Sequence, residues 1–192
     1  MRETRVERKT TEVNIVVELN VDGRGKGNVK TDIKFLDHLL KTLAKHSLID
    51  LTIRAEGELK HHVCEDVALA LGKSLDQALA DKKGIRRFGS AFVPMDDSLA
   101  RAVVDLGGRP YSNLDLKLSR AKIEDLKTED IRHFLASFAQ ASKLSLHLTV
   151  LYGANEHHKI EAAIKALAVA LKKAVTKESR IAGQVPSAKG VL

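Results

Sequence analysis

Two short stretches of the chain could do metal chemistry: His61-His62-Val63-Cys64-Glu65 and His157-His158-Lys159-Ile160-Glu161. On a helix, residues four apart share a face, so His61 faces with Glu65 and His157 with Glu161. Imidazole and carboxylate at that spacing give two metal-ligand positions with no rearrangement of the chain. The adjacent His62 and His158 point roughly 100° away and can reach a different ion. Adding His38 and His133 brings six of the eight histidines and two glutamates together, enough for two sites of three His and one carboxylate each. An all-N/O donor set suits Mn, Fe, Zn, Ni or Co, and the lack of thiolates argues against a cysteine-type structural zinc. Cys64 lies inside the first stretch, but its counterpart in the second is Ile160, which marks it as a core position.

The elements that carry these residues repeat. HHVCEDVALALGKSLDQAL from His61 aligns without gaps to HHKIEAAIKALAVALKKAV from His157, sharing two His, a Glu, two Leu and two Ala. Apolar matches come cheaply between amphipathic helices; a repeated His-His-x-x-Glu does not. The hydrophobic pattern predicts helices over Lys34–Ser47, His61–Ala80, about Thr128–Ser142 (with Thr128 as N-cap) and Glu156–Glu178. Alternation predicts a first strand over Glu12–Leu19 and further strands over Ile49–Ala55, within Val93–Gly108, over Tyr111–Leu118 and over Leu144–Tyr152. The glycines between Asp22 and Gly27 read as a hairpin turn, since no Lys-Ser/Thr follows as in a phosphate loop. Helix, strand, helix thus occurs twice. The expected fold class is α+β, an internally duplicated half with sheets packed against helices. The domain reading is one unit over 1–192, two pseudo-repeats of about 1–92 and 93–180, and a tail over 181–192.

Composition narrows the classes. Hydrophobic residues make up 44% and charged residues 30%, a globular mixture. No apolar run approaches the ~20 residues of a membrane span, and the N-terminal residues lack the apolar region of a signal peptide. A single cysteine rules out an intramolecular disulfide framework and fits a reducing, cytoplasmic compartment. Thirty-two Lys and Arg against 25 Asp and Glu give a net charge of +7, which suits nucleic acid or a small anionic substrate. The basic residues are scattered and aromatics are only 4%, which disfavours stacking on bases. A small phosphorylated substrate fits the charge equally well, and neither nucleic acid nor membrane is the expected partner.

Beyond the doubled motif, FLDHLLKTLAKH, HHVCED, MDDSLARAVVDLGGRPY, LYGANEHHKIEAAIKA and PSAKGVL occur in the order of the motifs of imidazoleglycerol-phosphate dehydratase, which the chain resembles from Glu12 to Lys189. The resemblance implies a manganese-dependent hydro-lyase of histidine biosynthesis, with two ions per active site in a homo-oligomer of 24 subunits. It converts imidazole glycerol phosphate to imidazole acetol phosphate. Carried over by motif, one ion takes His38, His62, His157 and Glu161, and the other takes His61, Glu65, His133 and His158. Glu12, Glu65 and Glu161 are the implied catalytic carboxylates. Glu12, His38, His46, Arg87, Arg109, Lys165, Ser187 and Lys189 are the implied substrate contacts. Asp32 and Lys34 stand where the family usually has glycine, Leu39 where it has Met, and Ala188 where it has Thr. The phosphatase domain fused to this enzyme in some bacteria is not expected in 192 residues.

Two other classes compete. A non-catalytic metal-binding protein would bind ions without turnover and would give Arg109, Lys189 and Glu12 no role. An RNA-binding α+β module would lose affinity steeply with salt and need no metal.

Overall fold

The computed structural model describes residues 2–192. A period-two burial pattern builds the first sheet. In β2 (Val13–Asn20) the side chains of Val13, Ile15, Val17 and Leu19 are buried while Asn14 and Glu18 face water. β4 (Asp50–Gly57) repeats this with Leu51, Ile53 and Ala55. β1 (Glu3–Lys9) pairs antiparallel with β2, β2 antiparallel with β4, and β3 (Gly27–Lys30) parallel with β4, giving the order β1-β2-β4-β3. α1 (Lys34–Ser47) and α2 (Lys60–Leu79) cover the buried face.

The same order then recurs from Phe88, ahead of the expected boundary at 93. β5 (Phe88–Met95), β6 (Ser98–Asp105), β7 (Tyr111–Asp115) and β10 (Ser145–Tyr152) form a sheet in the order β5-β6-β10-β7, again with one parallel pair at its edge. α3 (Thr128–Ala141) and α4 (Glu156–Val175) cover it. α1 and α3 are both 14 residues long, and α2 and α4 both 20. The halves differ before their first helix: the second inserts a small hairpin, β8 (Lys122–Ile123) and β9 (Leu126–Lys127).

The helices meet across the middle, α1 on α4 and α2 on α3. Gly72 permits the second contact, because a Cβ there would stand 2.7 Å from the Ala141 methyl and 2.8 Å from the Phe138 carbonyl oxygen. Burial of whole apolar faces, about 25 cal/mol per Å2, holds the layers together. Among the described residues no helix is long and apolar enough to cross a membrane.

Several local expectations are corrected. β1 precedes the strand expected first; its burial alternates, but Val6 is its one apolar residue, so the sequence shows no hydrophobic alternation there. Glu12 lies in the β1–β2 turn, one residue before β2. The Asp22–Gly27 segment is not a hairpin: it carries the chain past β4 to β3, and Asp50 Oδ1 pins it by accepting from the Arg24 and Lys26 N–H groups. Lys127, not Thr128, is the N-cap residue of α3, and the Thr128 hydroxyl donates to the Arg120 carbonyl instead. α4 stops at Val175, short of Glu178, which caps a 3-10 turn at Ser179–Ile181.

Candidate active site

The two His-His pairs open α2 and α4, and helix pairing decides what they meet. On the α1–α4 seam, His38, His157 and Glu161 bring one donor atom each within 4.8 Å of one another. Glu161 Oε2 lies 3.5 Å from His38 Nε2 and 3.4 Å from His157 Nε2. On the α2–α3 seam, His61, Glu65 and His133 do the same, with His133 Nε2 3.4 Å from Glu65 Oε1. Each group joins one helix from each half, so the internal duplication produces two equivalent sites. The donor chemistry fits a divalent first-row ion: two imidazoles and a carboxylate, with no thiolate.

Carboxylates orient the rings from behind. His61 Nδ1 stands 2.6 Å from Oδ1 of buried Asp130, and this hydrogen bond holds the His61 pKa above its ordinary value. His157 Nδ1 meets Glu124 Oε1 at 3.2 Å, and His158 Nδ1 meets Asp97 Oδ1 at 2.6 Å. Asp97 also accepts from the Asn155 and Ala154 N–H groups, and these bonds together with His158 hold its carboxyl far below the usual range. Such partners fix the tautomer that leaves Nε2 free for an ion. The Asn155 side chain caps α4 by accepting from the His157 and His158 N–H groups. Sequence reading missed Asp97, Glu124 and Asp130, since each reaches its histidine from another element. Asp97 lies in the Met95-Asp96-Asp97-Ser98 turn between β5 and β6, which the structure shows to correspond to the β1–β2 turn that holds Glu12.

Among the described residues, His62 and His158 join neither of these groups. Glu12 Oε2 is 3.1 Å from His62 Nδ1, but its direction is unsuited to a hydrogen bond, and that nitrogen is buried without a hydrogen-bond partner. His46 and Lys165 gather beside the α1–α4 group. Lys165 Nζ pairs with Glu161 Oε1 at 2.8 Å and contacts Met95 Sδ. Burial alone would push the Glu161 carboxyl up, but Lys165 and His38 hold it below the usual value. Partial burial, helped by Lys165, pushes His46 down. Cys64 is buried in the core, its thiol pushed up to about 12 by that burial.

The remaining sequence-predicted residues collect at the opposite end. Arg87 is locked by Asp105, with Nε 2.7 Å from Oδ1, and donates from Nη1 to the Pro186 carbonyl at 2.9 Å, tying down the tail that carries Ser187 and Lys189. Arg109 stands at the same sheet end, its carbonyl accepting from the Ser145 hydroxyl. The Arg87 N–H bonds to the Ala174 carbonyl, and at ~1.5 Å per residue the helix from Glu161 to Ala174 spans about 20 Å. Arg87 and the tail segment bonded to it therefore lie far from the α1–α4 histidine group of their own chain.

Comparison with known proteins decides the family. Residues 31–171 match the family model described as imidazoleglycerol-phosphate dehydratase. The chain belongs to the imidazoleglycerol-phosphate dehydratase family. It is 47% identical over 191 residues to that dehydratase from Dehalococcoides mccartyi (strain CBDB1), covering 100% of this chain and 97% of the relative. It is 47% identical over 195 residues to the one from Methanothermobacter thermautotrophicus, covering 100% of this chain and 98% of the relative. The crystal structure of the Pyrococcus furiosus dehydratase superposes with a TM-score of 0.84 at 35% identity, covering 97% of this chain and 100% of that one. The Staphylococcus aureus dehydratase gives 0.81 at 34% identity, covering 91% and 99%. The α+β duplicated fold is thus the dehydratase fold. Asp32, where the resemblance implies glycine, adopts φ 59°, the left-handed region glycine enters freely. Lys34, by contrast, begins α1 with no such demand.

Proposed function

We propose that the chain, a dehydratase of histidine biosynthesis whose family acts on a phosphorylated imidazole, works on imidazole glycerol phosphate as a manganese-dependent hydro-lyase, yielding imidazole acetol phosphate, in a cytoplasmic homo-oligomer of 24 subunits. The observation that carries the metal reading is the pair of His-His-Glu groups, each made from both halves, with Nε2 atoms converging on a carboxylate. Two ions per site are proposed, held by His38, His157 and Glu161 and by His61, Glu65 and His133, with His62 and His158 of other copies as the fourth ligands.

The reaction removes a proton from a carbon beside the imidazole ring and expels the neighbouring hydroxyl, with no carbonyl to acidify that carbon. Ions held by these two groups would supply Lewis acidity and help orient the ring. Glu12, exposed at the mouth of the His62 face, takes or returns the proton at the reacting carbon or hydroxyl. Glu65 and Glu161 hold ions and keep negative charge beside the ring. Arg109, Lys189 and Ser187 bind the phosphate by charge-assisted hydrogen bonds, and Arg87 holds the tail in place for them. His46 and Lys165 line the approach beside the α1–α4 group. Since the proposed phosphate end lies about 20 Å along α4 from the α1–α4 group of its own chain, one substrate is held by residues of different copies. That separation supports the oligomer. Neither a metal store nor an RNA module accounts for this arrangement.

The test is turnover of imidazole glycerol phosphate by purified protein before chelation, after it, and after added manganese. Turnover lost on chelation and recovered with manganese is the expected result. Full turnover by metal-free protein would refute the metal dependence.

A further inference from the structure

Glu124 and Asp125 form the two-residue tip of the β8–β9 hairpin, the insertion that the first half lacks. Glu124 sits there at φ 51°, a conformation that is strained for any residue with a Cβ and free for glycine. A two-residue hairpin loop takes positive φ at its tip, so the turn itself sets this conformation. The two tip residues act on two different helices. Asp125 accepts from the Lys34 and Phe35 N–H groups at 2.8 and 2.9 Å, capping α1, whose own N-cap residue Ile33 offers no side-chain bond. Glu124 Oε1 meets His157 Nδ1 on α4 at 3.2 Å. α1 carries His38 and α4 carries His157 and Glu161, so one hairpin tip holds both walls of a single group.

The other group is held differently. His61 is backed by Asp130, which is 3% exposed and part of the helical scaffold itself. The Glu124 side chain is 60% exposed and sits on a hairpin two residues to a strand. We infer that Glu124 is a positioning residue that orients His157 for the α1–α4 ion, and that this makes the two otherwise equivalent ion sites unequal, the α1–α4 site being the weaker. The inference rests on the proposed reading that both groups hold ions.

The experiment titrates Mn2+ into metal-stripped, full-length protein, wild type and Glu124→Gly, and measures thermal unfolding of both metal-free forms. Glycine suits φ 51°, so the variant folds at least as well. Wild type is expected to show two phases of Mn2+ binding. Glu124→Gly is expected to weaken the weaker phase by about 10-fold or more, leave the tighter one within about twofold, and keep or raise the unfolding midpoint. Glu124→Gln, which keeps an acceptor oxygen without the charge, is expected to fall between. Unchanged phases, or both weakened together with a lowered midpoint, would overturn the positioning role. Two identical phases in wild type would overturn the inequality. Absence of any Mn2+ binding by wild type would instead remove the metal reading and this inference with it.

Discussion

The Nδ1 atom of His61 stands 2.6 Å from a carboxylate oxygen of Asp130, across the α2–α3 seam and 69 residues away in sequence. The bond turns Nε2 toward Glu65 and His133 and joins helices from opposite halves. Asp130→Ala should reduce affinity for the α2–α3 ion by about 10–100-fold, the usual effect of removing a ligand's hydrogen-bond partner. Direct Mn2+ titration checks this. An unchanged affinity would show that helix packing alone orients His61.

The unplaced histidines predict the behaviour of the assembly. Among the described residues His62 and His158 join neither ligand group, and the end where Arg87 holds the tail is remote from the α1–α4 group. An ion that binds the assembled form more tightly must favour assembly by mass action. Stripping metal, or the His62→Ala substitution, should therefore shift the particle to a smaller mass in light scattering at dilute concentration. Equal masses with and without metal would place all ligands within one chain.

The cationic end divides by how each residue is held. Lys189 is exposed, and Arg109 is exposed and engaged only through its carbonyl. Lys189→Ala and Arg109→Ala should each cost roughly 1.5–3 kcal/mol of substrate binding and little stability. Arg87→Ala differs, because it frees Asp105 and the Pro186 carbonyl: both the unfolding midpoint and KM should worsen. Steady-state kinetics beside thermal unfolding separates the two patterns, and an Arg87→Ala variant of normal stability would contradict the anchoring role.

Asp50 supplies a pH-dependent contribution remote from the metal residues. Its partial burial pushes the carboxyl up, but N–H bonds from Lys26, Arg24 and Gly25 outweigh that and hold it below its ordinary value. A carboxyl depressed in the folded state stabilises above its unfolded pKa of about 3.9, and this contribution is lost as pH falls through the folded value. Asp50→Asn should cost roughly 1 kcal/mol at pH 7, and the gap to wild type should close as pH drops below about 4. A gap that stays constant with pH would assign the cost to geometry and not to charge.

What the sequence revealed and what it hid follow one physical line. Helices carry their pattern within a few turns, so the ends of α1 and the start of α4 could be read directly, and the His-His-x-x-Glu spacing lay on one helix face. The partners that turn those rings come from elsewhere: Glu124 from an inserted hairpin, Asp97 from a strand turn, Asp130 from a packed helix. No local period marks them. β1 was invisible for a related reason, since this edge strand carries Val6 as its one apolar residue and so shows no hydrophobic alternation in sequence. The Asp22–Gly27 glycines looked like a hairpin because composition marks a turn without saying which strand comes next.

Glu12 is the sharpest test of the chemistry. It lies in the β1–β2 turn, exposed, with its carboxylate 3.1 Å from His62 Nδ1 but poorly aligned for a hydrogen bond. The Glu12 N–H bonds to the Thr10 hydroxyl, so the turn is held without the carboxylate. A side chain this free of structural duty is able to act on a substrate proton. Glu12→Gln keeps the shape and removes the basic oxygen. Turnover should fall by about 10²–10⁴-fold, the contribution of a positioned acid or base, while Mn2+ content, unfolding midpoint and particle mass stay near wild type. Loss of metal together with rate would make Glu12 an orienting group for His62 instead. Turnover within about threefold of wild type would falsify the proton-transfer role, because a working acid or base contributes far more than that.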